Sequence, residues 1–270
     1  MNRVALFRGL IVVSLMVVAS TSGGQQTSLG TTGSPGGLDV QSRVELQESA
    51  WDLRRSVGAA MDVHTHVMSP ELASLMAGPG TPPSTADDLI DRLDEAHVRQ
   101  AVVLSLAYMQ VLPDDAAVQA ENDYAAAEVG KYPDRLIGFC GVNPLRASAV
   151  DEIDRCADDL GMRGIKIHVP GSGVDLKLPE HVAAVSAVFD RARDRDLPIM
   201  MHSGSPIGLP LDSDALANLG SVIATHREVR LVLAHCTNDA DRSEMEIWLE
   251  ALDQGLFNNE NLFVDTSSCL

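Results

Sequence analysis

Aromatic side chains are scarce in this chain: Phe, Trp and Tyr together make up 4% of it, so a core has to be built from Val, Leu, Ile and Ala. Positive charge is also thin. Lys and Arg number 20 against 38 Asp and Glu, a formal charge of −18, and the basic residues are dispersed singly. Such a surface repels phosphate backbones and anionic lipid, which argues against a nucleic-acid partner or a membrane-surface role. Cysteine is limited to Cys140, Cys156, Cys236 and Cys269, with no CxxC spacing. Nothing in that spacing proposes a pairing, and mostly free or buried thiols are expected, a disulfide being the lesser alternative. The marked apolar run near the N-terminus, Leu10 to Ala19, is too short for a comfortable membrane span.

That run has the setting of a secretory signal. Arg3 and Arg8 supply a positive start, and the small residues Ala19 to Gly23 follow the apolar stretch, the order of a cleavable signal peptide. An uncleaved anchor is the alternative; the absence of a cysteine near the junction argues against a lipoprotein anchor. Residues 1–22 are therefore expected to be a signal peptide and the protein to be secreted or periplasmic, free of the membrane once the signal is cleaved. Residues 23–39, rich in Gly, Ser and Thr, read as a flexible linker. Residues 40–270 remain for one large domain, since a barrel of eight βα units takes roughly 250 residues. An apolar content of 45% is ordinary for a globular core.

Within that domain a helix is expected at about residues 40–57, where Leu46, Ala50, Leu53 and Val57 recur at helical spacing. Short apolar, β-branched runs then alternate with amphipathic ones. The apolar runs occupy 59–67, 99–106, 135–142, 163–169, 197–203, 229–236 and 261–268; near-continuous apolar strands are what a sheet covered on both faces requires. Helical stretches intervene at 85–98, 147–161 and 179–196, each with one apolar face. The βαβα order predicts an α/β fold with a parallel sheet. Segments 68–84 and 204–213, rich in Gly and Pro, read as loops after strands, where such folds place their specificity.

The chemistry gathers at strand ends. Of eight histidines, five (His64, His66, His168, His202 and His235) lie at the C-terminal ends of the expected strands, the end at which barrels of this kind carry their active sites. His97, His181 and His226 fall in or beside helices and read as structural. In Asp62-Val63-His64-Thr65-His66 the two imidazoles are two residues apart, hence on one face of a strand and close enough to share an ion. The competing reading is a pair of ordinary core or surface histidines, which an otherwise apolar strand end disfavours. Lys166 and His168 share a face of the fourth strand by the same spacing. Asp265 closes the seventh strand in Phe-Val-Asp-Thr-Ser-Ser; it could orient a ligand or a helix start, and the motif is equally a plain turn, so it stays outside the catalytic set.

The succession DVHTH, GIKIH, MMHSG, LAHC and FVDTSS resembles the amidohydrolase-related family of the amidohydrolase superfamily over about residues 60–268. The resemblance implies a TIM-like (β/α)8 barrel of which about seven βα units are present. It also implies one divalent metal ion, zinc in most relatives and manganese or another ion in some. His64, His66 and His202 would be its ligands and His235 the histidine that polarises the substrate or the attacking water. A three-histidine site leaves an open position at which bound water can reach a pKa of about 7. Lys166 would be a structural or substrate-carboxylate-binding group, and His168 either a substrate contact or a supporting partner of a metal ligand.

The function so implied is metal-dependent hydrolysis of an amide, lactone or ester bond in a small molecule. One alternative is a non-oxidative decarboxylase of the same family. Another is an inactive metal-binding remnant, because the family's eighth strand, with its aspartate in a Gly-x-Asp-x-Pro setting, has no counterpart before Leu270. That reading expects a C-terminally incomplete barrel with unpaired first and seventh strands and low activity. Homo-oligomerisation is left open.

Overall fold

A computed structural model of the chain describes residues 60–202, 212–235, 253, 255, 260–265 and 267. The expected signal peptide, linker, helix at 40–57, Cys236, Cys269 and most of the 204–213 loop lie outside them.

The described chain alternates strand and helix: β1 (Met61–Thr65), α1 (Pro70–Ala77), α2 (Ala86–Glu95), β2 (Gln100–Leu104), α3 (Asp115–Gly130), β3 (Leu136–Gly141), α4 (Ala149–Asp158), β4 (Ile165–His168), α5 (Pro179–Asp194), β5 (Ile199–His202), α6 (Ser213–Thr225), β6 (Leu231–Leu233) and β7 (Leu262–Val264). All seven strands pair in parallel and in sequence order. This is the winding of a (β/α) barrel, and each of the seven apolar runs read from the sequence supplies a strand. β1 and β7 have one strand partner each among the described residues, and β7 leaves Phe263 and Val264 half exposed.

The two faces of the sheet do different work. Ala101 and Val103 of β2, Ile165 and Ile167 of β4, and Ile199 and Met201 of β5 point outward into the main core, where Leu89 and Leu93 of α2, Ile153 of α4, Val188 and Phe189 of α5, and Leu219 and Ile223 of α6 cover them. Val102, Leu104 and Met200 turn the other way into a smaller apolar cluster. The alternating direction of strand side chains therefore puts Lys166 and His168 on the inner side with Met200. β1 departs from strict alternation: its pairing with β2 slips between Asp62 and Thr65. A bulge of this kind re-aims side chains.

Three helices, α1, α3 and α6, were not among the helical stretches read from the sequence. Residues 68–84, read as a loop, contain α1, which starts on an N-cap: the Ser69 hydroxyl accepts from the Leu72 amide at 3.1 Å. Helix α3 buries few apolar groups, and its inner face carries Glu121, Asn122 and Glu128. Each serves a neighbouring element. Glu121 accepts from the Ser69 amide (3.3 Å), Glu128 accepts from the Ala86 amide at the start of α2 (2.7 Å), and Asn122 bonds both backbone groups of Gly141 and the Glu152 carboxylate. Carboxylates at helix N-termini are favourably placed against the helix dipole.

The cysteine expectation is corrected. Cys140 at the end of β3 and Cys156 on α4 form a disulfide, their Cα atoms 6.0 Å apart. The reason is three-dimensional: α4 packs back on the strand that precedes it, so residues separated by 16 in sequence meet in the core beside Glu152.

Candidate metal centre

The strand ends deliver their histidines to one place. The rings of His64 and His66 lie 5.2 Å apart, His64 and His235 4.5 Å, His202 and His235 4.5 Å, and His168 and His202 3.8 Å. Five imidazoles from β1, β4, β5 and the end of β6 thus form one continuous group. Lys166, almost wholly buried, reaches it from β4 with Nζ 3.4 Å from His64 Nε2. His97, His181 and His226 stand elsewhere, as expected. His226 ends α6, bonded to the Val222 carbonyl and Asp190, while His181 accepts from the Asp175 amide.

Hydrogen bonds fix the proton on several of these rings. His66 Nδ1 lies 2.8 Å from the Leu104 carbonyl oxygen; a carbonyl only accepts, so the proton sits on Nδ1 and Nε2 keeps its lone pair. His64 Nδ1 faces the Asp265 carboxylate at 2.8 Å, which assigns the same tautomer, and Lys166 donates to its Nε2. Both β1 imidazoles therefore present Nε2 in the form that binds a metal, each held by a supporting acceptor as metal-ligating histidines usually are.

The electrostatics agree. Burial, then the Lys166 charge, push the His64 imidazole down to about 3. Burial and the neighbouring His64 and Lys166 hold His66 well below its ordinary value. Both rings are neutral at physiological pH, the ligating state. Burial alone would raise Asp265, but its hydrogen bond to His64 and that ring's charge, with the bonds from the Ser267 hydroxyl and the His235 backbone N–H, outweigh it and hold the carboxyl below the usual range.

Asp265 is the residue that sequence reasoning left aside. It is buried, accepts from the amides of His235 and Ser267 at 2.9 Å each, and faces His64, so it orients one histidine on β1 and another just after β6. Its position at a strand end, matching the histidines, was the available signal. His235 is held in a left-handed backbone conformation with φ of 60°, uncommon for a residue with a side chain and a feature that clusters at functional sites.

Among the described residues, His64, His235 and Asp265 bring ligand atoms within 4.8 Å of one another. Of the expected trio, His64 and His66 are ring neighbours, while His202 joins them through His235. The donor chemistry fits a divalent cation: neutral imidazoles with oriented lone pairs beside an ionised carboxylate.

Comparison with known proteins agrees with this arrangement. A family model described as amidohydrolase matches residues 61–269. Among solved structures, the chain is similar to a probable 2-pyrone-4,6-dicarboxylic acid hydrolase from Acinetobacter baumannii with citric acid bound, at 18% identity over 77% of this chain and 69% of that one, TM-score 0.52. It is similar also to a putative amidohydrolase from Staphylococcus aureus (18%, 77% and 79%, TM-score 0.54) and to the apo form of IDCase from Metarhizium anisopliae (18%, 78% and 78%, TM-score 0.54). At this identity the likeness carries the fold alone. No curated protein matches the chain.

Proposed function

The chain belongs to the amidohydrolase family of enzymes, and from that premise we propose that it hydrolyses an amide, lactone or ester bond in a small molecule with the help of one divalent cation, zinc. The observation that carries the reading is the convergence of His64, His66, His202 and His235 at one end of the parallel strands, with the β1 pair already in the ligating tautomer. His64, His66 and His202 would hold the ion. When bound, such an ion supplies Lewis acidity and brings the pKa of a bound water near 7.

The protein's own groups supply the rest. Asp265 orients His64 through Nδ1 and fixes the His235 backbone. His235, its Nδ1 engaged by the Ser267 hydroxyl at 2.8 Å, is assigned to hold the proton of the attacking water at Nε2. Lys166 and His168 face the substrate from β4. The proposal includes export under the N-terminal signal, which the Cys140–Cys156 disulfide supports, since disulfides persist in oxidising compartments.

Metal content after purification, followed by product analysis with a panel of lactones, esters and amides, tests the reading. Bound zinc that is lost from a His64→Ala/His66→Ala double variant, and products carrying one added water, are expected. Carbon dioxide release from a carboxylated substrate would replace the hydrolase reading with the decarboxylase one.

A further inference from the structure

One imidazole in the group carries its proton the other way round. His168 Nδ1 accepts from the Gly171 backbone amide at 2.9 Å. A backbone amide can only donate, so Nδ1 is the unprotonated nitrogen and the proton of the ring sits on Nε2. Among the described residues Nε2 has no hydrogen-bond partner, the residue is half-buried, and Nε2 is not among the sealed unpartnered atoms. The free edge of the ring therefore carries an N–H, whereas His64 and His66 offer lone pairs.

The surroundings are built to keep it so. Tyr108 stacks on one side of the ring at 5.1 Å and His202 on the other at 3.8 Å, so neither face is open to a flat ligand and the edge is what remains. The loop after β4 closes over the ring: a Cβ at Gly171 would come to 3.0 Å from its Cγ and Nδ1 and 3.3 Å from Tyr108. A side chain at this position would press on the ring that the amide bonds, so the ring or the loop would have to shift by a few tenths of an ångström. That loop is tied to the β2 exit by the Gln110 amide on the Gly171 carbonyl (3.1 Å) and by the Ser172 hydroxyl on the Tyr108 carbonyl (3.2 Å).

We propose that His168 is a fixed hydrogen-bond donor to a carboxylate of the substrate, with Gly171 and Tyr108 as its positioning residues. The proposal rests on the reading of this end of the strands as the active site and adds the substrate class, a carboxylate-bearing small molecule. A carboxylate oxygen only accepts, which matches an edge that only donates. Lys166, two residues earlier on the same strand and pointing to the same side, adds a second donor, this one cationic. A substrate presenting only donors at this position would leave the N–H buried without a partner.

The test uses the full chain, nitrogen-15 labelled, in metal-free and zinc-loaded form, with benzoate as the carboxylate probe and its isosteric opposite, benzamidine, as the donor-only control. Long-range proton–nitrogen spectra of the unmodified protein report the tautomer without any variant. His168 is expected to show an unprotonated Nδ1 and a protonated Nε2, and benzoate but not benzamidine to move the Nε2–H proton downfield. His168→Phe keeps the stacked ring and removes the donor; about a tenfold weaker affinity for benzoate is expected, the scale of one hydrogen bond to a charged acceptor. Gly171→Ala is expected to mix the tautomers and weaken benzoate similarly. A protonated Nδ1, or equal benzoate affinity in His168→Phe and the unmodified chain, would overturn the proposal. Because tautomer and benzoate affinity are read with and without metal, failure of the hydrolase reading registers separately, as missing zinc or missing turnover.

Discussion

Replacing Asp265 with asparagine isolates the support of the metal-binding tautomer. The native carboxylate accepts from His64 Nδ1 at 2.8 Å and from the amides of His235 and Ser267 at 2.9 Å. Asparagine retains one carbonyl oxygen, enough for the two amides, and turns an NH2 group toward His64. Two donors then face each other unless His64 gives up its Nδ1 proton, which moves to Nε2 and occupies the lone pair that would bind the cation. Loss of such a supporting partner weakens metal affinity about 10–100-fold, equivalent to about 1.4–2.7 kcal/mol. The metal-free fold loses one charge-assisted hydrogen bond, about 1.5–3 kcal/mol. At about 2–4 °C per kcal/mol for a domain of this size, Tm drops by about 3–12 °C. Competition for zinc against a chromophoric chelator measures the first effect and thermal unfolding of metal-free protein the second. Zinc affinity within twofold of the unmodified protein, in a variant whose Tm has fallen, would show that Asp265 supports the fold without governing the His64 proton.

Three further outcomes follow from packing and protonation. The Cys140→Ser/Cys156→Ser variant releases a loop of 16 residues and should lose about 3 kcal/mol of stability in denaturant unfolding; a loss below about 1 kcal/mol would mean that burial of the two side chains already holds α4 on β3. Metal-free protein should become less stable as pH falls below 6.5. His64 and His168 are held down to about 3, so between those values the unfolded chain binds protons that the folded chain refuses. Their contribution is intact above pH 6.5 and declines by up to about 1.4 kcal/mol per pH unit for each. Asp265, depressed below its usual range, adds its own loss only as pH falls below the ordinary carboxylate value. Urea midpoints that stay level from about pH 7.5 to about pH 5 would contradict buried neutral histidines. Gly141→Ala would set a Cβ 2.6 Å from the Ser105 carbonyl oxygen and 2.7 Å from the Ala107 nitrogen, both backbone atoms that cannot rotate away. A destabilisation of about 1–3 kcal/mol is expected, and an unchanged Tm would show that the β2 exit yields.

Much of the fold could be read directly because its determinants are local. Runs such as Gln100–Leu104 and Leu136–Gly141 are apolar enough to be covered on both faces, and α2, α4 and α5 show their buried stripes at helical spacing. Helix α3 escaped because its inner face is polar. Glu121, Asn122 and Glu128 are buried by bonding the backbone at Ser69, Gly141 and Ala86, partners 52, 19 and 42 residues away in sequence. Helix α1 escaped because its short apolar content sits among the glycines and prolines that mark loops. The disulfide escaped because nothing in the spacing of Cys140 and Cys156 says that α4 folds back onto β3.

For the site, the sequence by itself determined which side chains stand at the strand ends, because the two-residue repeat of a strand and the apolar run behind it are both local. His64, His66, Lys166, His168, His202 and His235 were all named from that pattern. Only the tertiary structure decided where the protons sit. Whether an imidazole offers a lone pair or an N–H depends on what faces its other nitrogen: the Leu104 carbonyl for His66, the Asp265 carboxylate for His64, and the Gly171 amide for His168. Two of those partners come from other strands and the third from a loop folded back over its own ring, so the chemistry of each histidine is a property of the assembled sheet.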